Sequence, residues 1–135
     1  KVVLPLHPRT RNRLDKFNND SIVIDVLNNP NIHVIDPVGI IDITELEKNA
    51  RLIVTDSGGV QKEAYFFKKP CVILREQTEW VEMVENGNAI LSGANKDRIL
   101  SAAKVLMNKD DFTYPPIFGD GKAGAFICSK ILSDL

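Results

Sequence analysis

The chain has 135 residues, a length that suits one domain of ordinary size. Apolar residues make up 44% and charged residues 26%, which excludes a disordered chain. Lys and Arg total 17 against 18 Asp and Glu, so the net charge of -1 argues against a nucleic-acid partner. No apolar run approaches the ~20 residues of a membrane span, so no membrane partner is expected. Cys71 and Cys128 match no zinc spacing and read as small buried residues in a reducing, cytoplasmic setting. The chain opens Lys1-Val-Val-Leu-Pro-Leu6, strand-like and without an initiator Met. The expectation is a piece of a longer protein.

Residues 2 to 6 (VVLPL) predict a short buried strand. The basic segment from His7 to Phe17 predicts a helix, with Pro8 suited to its first turn. Asn18, Asn19 and Asp20 mark a turn, and Ile22 to Leu27 is a helix or a short strand, broken by Asn28-Asn29-Pro30. Ile32 to Ile35 is a second strand, stopped by Asp36-Pro37. Asp42 to Ala50 carries Ile43, Leu46 and Ala50 at helical spacing. Residues 52 to 55 (LIVT) are a third strand, and a helix is expected from Val60 to Phe67. Pro70 opens a fourth, Cys71 to Leu74. Trp80, Met83 and Val84 share one face of a short helix that Gly87 ends. Ala89 to Leu91 is a fifth strand, and Asp97 to Met107 an amphipathic helix. Asp110 to Gly121 reads as a loop and Ala123 to Leu135 as a last helix.

Short apolar strands separated by helices imply parallel β-α crossovers with both sheet faces covered. The fold class is α/β, a Rossmann-like doubly wound parallel sheet. Such sheets bind ligands beyond the carboxyl ends of their strands. The search for function therefore falls on residues 7–11, 36–43, 56–63, 75–80 and 92–95.

The strongest local signal is Thr55-Asp56-Ser57-Gly58-Gly59-Val60-Gln61-Lys62-Glu63-Ala64. A strand ends, two glycines turn the chain, and a helix begins. Its first amides have no intrahelical partner, and the helix dipole adds positive potential there. Gly58 and Gly59 would let a pyrophosphate approach the backbone, and the Ser57 hydroxyl would add a donor. Glu63, about one turn further on, suits a bidentate bond to a ribose diol. The same residues also read as a plain β-α turn capped by Asp56 or Ser57, with Glu63 solvated. His7, Arg9 and Arg11 offer cationic contacts to phosphate, or form a basic first turn on the surface. Arg75, Thr78 and Glu79 follow another strand and could reach a ligand. Trp80 is a core anchor or a stacking surface, and His33 a structural residue. Gly119-Asp120-Gly121-Lys122 reads as a turn capping the last helix. No nucleophile–base constellation, carboxylate pair or metal cluster is arranged locally.

Taken together, His7-Pro8-Arg9-Thr10-Arg11, the Asp36-Pro37 loop, DSGGVQKEA (56–64), KKPCVILREQTEW (68–80), Glu85-Asn86-Gly87 and GDGKA (119–123) carry a resemblance. In this order they resemble the C-terminal domain of the non-hydrolysing UDP-N-acetylglucosamine 2-epimerases. The resemblance covers essentially the whole chain. It implies one UDP-binding domain over residues 1–135, half of a two-domain, glycosyltransferase-B-like architecture. It implies that Ser57, Gly58 and Gly59 hold the diphosphate and Glu63 the ribose hydroxyls. The loop after Asp36-Pro37, reaching Ile43, would lie against uracil.

Family enzymes invert C2 of the sugar by anti-elimination of UDP and its re-addition to the glycal. The resemblance places the catalytic groups outside these residues, so none is assigned here and the fragment alone is expected to be inactive. It further implies a UDP-sugar substrate, a homodimeric parent and a role in surface polysaccharide precursor synthesis. No metal or redox cofactor is expected, since no Asp cluster offers Mg²⁺ a site and the turn lacks G-x-G-x-x-G spacing. One departure stands out. The family's Thr-Glu-Arg-Pro-Glu, whose Arg contacts phosphate, is Thr78-Glu79-Trp80-Val81-Glu82 here. His7, Arg9 or Arg75 are the candidates to supply that charge. The Trp form resembles branches acting on other UDP-sugars, including diacetamido-glucuronic acid forms. A donor-binding domain of a two-domain glycosyltransferase is the alternative from another reaction class, and a non-catalytic signalling domain is disfavoured by the charge of His7-Pro8-Arg9.

Overall fold

A computed structural model describes residues 1–17 and 21–133. The chain divides into two compact units, Lys1–Leu46 and Glu47–Leu135. The turn expected at Asn18, Asn19 and Asp20 lies outside the described residues, as do the last two positions of the final helix.

In the first unit, β1 (Val2–Pro5) pairs in parallel with β2 (Ile32–Ile35), Val2 opposite Ile32 and Pro5 opposite Ile35. Between them run α1 (Pro8–Leu14), a 3-10 turn (Asp15–Phe17) and α2 (Ser21–Asn28). The ambiguous Ile22–Leu27 segment is thus helical. Val2, Val3 and Leu4 are exposed, contrary to the buried strand expected from their apolar run. Within this unit the reason is local: a two-stranded ladder flanked by helices that bury no residue leaves its faces open. His33 is likewise exposed on β2.

Helix α3 (Ile40–Asn49) begins two residues before the expected Asp42, since the Ile43 amide already bonds to the Gly39 carbonyl at 3.0 Å. The second unit holds β3 (Ile53–Thr55), β4 (Cys71–Ile73) and β5 (Ala89–Leu91), all parallel in the order β3-β4-β5. Helices α4 (Gly58–Phe66), α5 (Val81–Glu85), α6 (Lys96–Met107) and α7 (Ala123–Ser133) complete it.

Central strand β4 explains the double winding. Successive strand side chains point to opposite faces. Cys71 and Ile73 enter one core with Ile53, Ala64, Tyr65, Met83 and Ala89. Val72 enters the other with Ala102 and Leu106 of α6. All three β4 residues are fully buried, as a parallel strand covered on both faces requires. The expected α/β class with parallel strands is borne out. Burial pushes the Cys71 thiol up to about 12, so it is a packing residue and not a nucleophile. Cys128 on α7 is exposed, contrary to its reading as a buried residue.

The 110–121 loop is pinned to the sheet. The Asn86 and Asn88 side chains donate to the Thr113 carbonyl at 2.8 and 3.0 Å, and the Tyr65 hydroxyl to the Pro115 carbonyl at 2.6 Å. Phe118 meets Tyr65, Phe66 and Trp80 edge-on.

Two helices end in the same way. After α5, the Gly87 amide bonds to the Val84 carbonyl and the Asn88 amide to that of Met83, with Gly87 at φ +73°. After α4, the Lys68 and Lys69 amides repeat this pattern on Tyr65 and Ala64, but the left-handed position is Lys68 at φ +57°. A Cβ is strained there, and glycine is the residue that this cap accommodates without strain. Lys68→Gly is therefore expected to raise stability by about 0.5–1 kcal/mol. An unchanged urea midpoint would show that this strain is not felt.

Candidate functional site

Helix α4 starts abruptly because Ser57 is extended, at φ -79° and ψ 125°, while Gly58 is already helical. The Ser57 hydroxyl accepts from the Val60 amide at 3.5 Å, and the Ser57 carbonyl accepts from the Gln61 amide at 3.1 Å. The Ser57 amide is tied back to Thr55 Oγ1 at 3.1 Å. The amides of Gly58 and Gly59 have no acceptor among the described residues. Two free donors at the positive end of a nine-residue helix favour an anion.

The two glycines differ. A Cβ on Gly58 would overlap Glu79 Oε1 and lie 3.3 Å from Glu79 Cδ and 3.7 Å from Trp80 Nε1. On Gly59 it would meet only the Ser57 Oγ, at 3.8 Å. A side chain at Gly58 would therefore push the Glu79 carboxylate aside, whereas the space over Gly59 is open. Glu63 stands four residues beyond Gly59, on the same helix face, and is half-buried.

The 75–80 segment wraps the start of α4. Arg75 Nη1 contacts Glu79 Oε2 at 2.9 Å and Oε1 at 3.3 Å. Arg75 thus converges on this end of α4 through Glu79, with its charge directed to that carboxylate. Trp80 Nε1 donates to the Gly58 carbonyl at 2.8 Å, and Thr78 Oγ1 to Gln61 Oε1 at 2.6 Å. Lys62 Nζ lies 4.5 Å from the Trp80 ring centroid and 4.9 Å from that of Phe118. Trp80 is accordingly an anchor between α4 and Phe118.

His7 and Arg9 share the first turn of α1 in their own unit. The His7 imidazole accepts from the Arg9 amide at 3.2 Å and caps the helix, and both residues are exposed. Arg11 pairs with Asp36 at 3.0 Å across the exposed surface. Ile43 is half-buried on α3. The Asp120 carboxylate accepts from the Lys122 amide at 3.0 Å, closing a turn just before α7 and not capping an amide of the helix as its sequence implied.

Glu47 on α3 is the residue that sequence reasoning missed. It is 5% exposed, and neither carboxylate oxygen has a hydrogen-bond partner among the described residues. Burial raises its pKa from 4.5 to about 7, and the charge of Glu63 adds to the rise. The helical spacing held the signal, since Glu47 falls four residues after Ile43 and three before Ala50, on the apolar face.

The family described as UDP-N-acetylglucosamine 2-epimerase matches residues 1–132. The chain belongs to that family. A UDP-N-acetylglucosamine 2-epimerase homolog of Methanococcus maripaludis is 46% identical over 127 residues, covering 94% of this chain and 34% of that protein. The UDP-2,3-diacetamido-2,3-dideoxy-D-glucuronate 2-epimerase of Pseudomonas aeruginosa is 44% identical over 130 residues, 96% of this chain and 34% of that one. The crystal structure of the UDP-GlcNAc 2-epimerase of Methanocaldococcus jannaschii in complex with UDP-GlcNAc and UDP superposes with a TM-score of 0.81 at 42% identity. It is matched over 97% of this chain and 35% of its own. This epimerase-family chain thus spans about a third of the length of the curated relatives it matches. No helix among its described residues is long and apolar enough to cross a membrane.

Proposed function

We propose that residues 1–135 form the UDP-binding domain of a UDP-N-acetylglucosamine 2-epimerase. The observation that carries this reading is the start of α4: two unpartnered amides, an open space over Gly59, and Glu63 on the same face. In this reading Ser57, Gly58 and Gly59 hold the diphosphate and Glu63 the ribose diol. Arg75, exchanging Glu79 for phosphate, supplies cationic charge. His7 and Arg9 are further cationic contacts, and Ile43 contacts uracil. The likeness to a Methanocaldococcus protein solved with UDP-GlcNAc and UDP supports this choice of ligand.

The whole enzyme would convert UDP-GlcNAc to UDP-ManNAc. The C2 proton is removed as UDP leaves C1, giving the glycal, and UDP adds back with a proton on the opposite face of C2. The groups that move these protons belong to the rest of the longer protein. A cytoplasmic homodimer serving surface polysaccharide precursor synthesis completes the proposal. The Pseudomonas relative supports a second reading, in which the sugar is a diacetamido-glucuronic acid.

Calorimetric titration with UDP, against ADP as control, tests the reading. Wild-type chain is expected to bind UDP selectively. Glu63→Gln is expected to weaken it by about ten-fold, the value of a charge-assisted hydrogen bond, with no loss of thermal stability. Equal UDP affinity in the variant removes the ribose role.

A further inference from the structure

We propose that Trp80 is a positioning residue for the anion-binding amides of α4, an inference that rests on the phosphate reading above. The indole N–H donates to the Gly58 carbonyl at 2.8 Å. That carbonyl and the Gly59 N–H are the two ends of one planar peptide unit. Fixing the direction of the oxygen therefore fixes the direction of the amide. A hydrogen bond to the carbonyl also polarises the unit and makes its N–H a stronger donor. Trp80 acts on the ligand through a backbone peptide, without supplying the charge of an arginine.

The indole is itself held from several sides. Its own amide donates to Thr78 Oγ1 at 3.1 Å, and Thr78 donates to the buried Gln61 of α4. Phe118 meets the ring edge-on at 5.6 Å between centroids, and the Lys62 ammonium lies 4.5 Å from the ring centroid. A donor so restrained imposes its geometry on the glycine turn. The turn needs that restraint, because Gly58 and Gly59 have no side chains to limit their own backbone angles.

Trp80→Phe isolates the N–H. It retains an aromatic ring for Phe118 and Lys62, and the Gly58 carbonyl keeps its place in the helical ladder of α4. The variant is expected to bind UDP about three- to ten-fold more weakly, the range of one net hydrogen bond, and to melt a few degrees lower while staying folded at the temperature of the titration. The Gly59 amide resonance should shift in the ligand-free variant. In the wild-type chain the Trp80 indole N–H resonance should move with the Gly59 amide as UDP is added, a readout that does not depend on the variant's folding. A UDP affinity in Trp80→Phe equal to wild type, or an indole resonance that stays still while Gly59 shifts, overturns the positioning role and leaves the UDP reading intact. Wild-type chain that ignores UDP overturns the UDP reading and this inference together.

Discussion

Gly59→Val is expected to weaken UDP binding by at least about ten-fold, or 1.4 kcal/mol, with no loss of thermal stability. The two halves of this expectation have separate causes. A side chain at Gly59 enters open space, its Cβ 3.8 Å from the nearest atom, Ser57 Oγ. Valine also has a slightly better helix propensity than glycine, so the fold has no reason to weaken. The isopropyl group would stand over the amides to which a diphosphate must bond, and it would hold the anion away from them. Gly58 would not serve the same purpose, because a Cβ there displaces the Glu79 carboxylate. Calorimetry with UDP alongside a melting curve checks both halves. Normal affinity in a normally folded variant would mean that the diphosphate lies elsewhere.

Glu47→Leu is expected to stabilise the chain, and by more at pH 8 than at pH 5. The folded carboxyl has its pKa raised from 4.5 to about 7, chiefly by burial and further by the charge of Glu63. Below about pH 4.5 the group is protonated folded and unfolded alike, and its titration costs nothing. As pH rises toward about 7 the unfolded chain releases the proton while the folded chain keeps it, so stability falls. Above about pH 7 the full cost is present, on the order of 3 kcal/mol. Leucine removes the titrating group and keeps a good helix former on the apolar face of α3. Urea denaturation of both proteins at the two pH values measures the difference. An equal gain at pH 5 and pH 8 would show that Glu47 titrates normally in the folded chain.

A Cβ at Gly59 would enter open space, and Glu47 is a buried carboxyl within electrostatic reach of Glu63, the proposed ribose contact. Glu63 enters both arguments, as the diol partner in one and as the charge that helps raise the pKa of Glu47 in the other.

The local features were legible along the chain. The strand at residues 32–35, the strand at 89–91 and the glycine end of α5 follow from short apolar runs and turn residues. The alternation of such strands with helices determines the α/β class, because apolar runs covered on both faces require parallel crossovers. The string from Ser57 to Glu63 marks a helix start suited to an anion, because unpaired amides and the helix dipole are properties of the local backbone. Contacts between distant segments were decided by tertiary structure. Gly58 is constrained by Glu79 and Trp80, some twenty residues away, and the 112–118 loop is pinned by Tyr65, Asn86 and Asn88. Burial of Glu47 likewise depends on which helix face meets the core. Periodicity records where apolar groups recur, but only packing decides which charged group is drawn in with them and which of two glycines meets a distant segment.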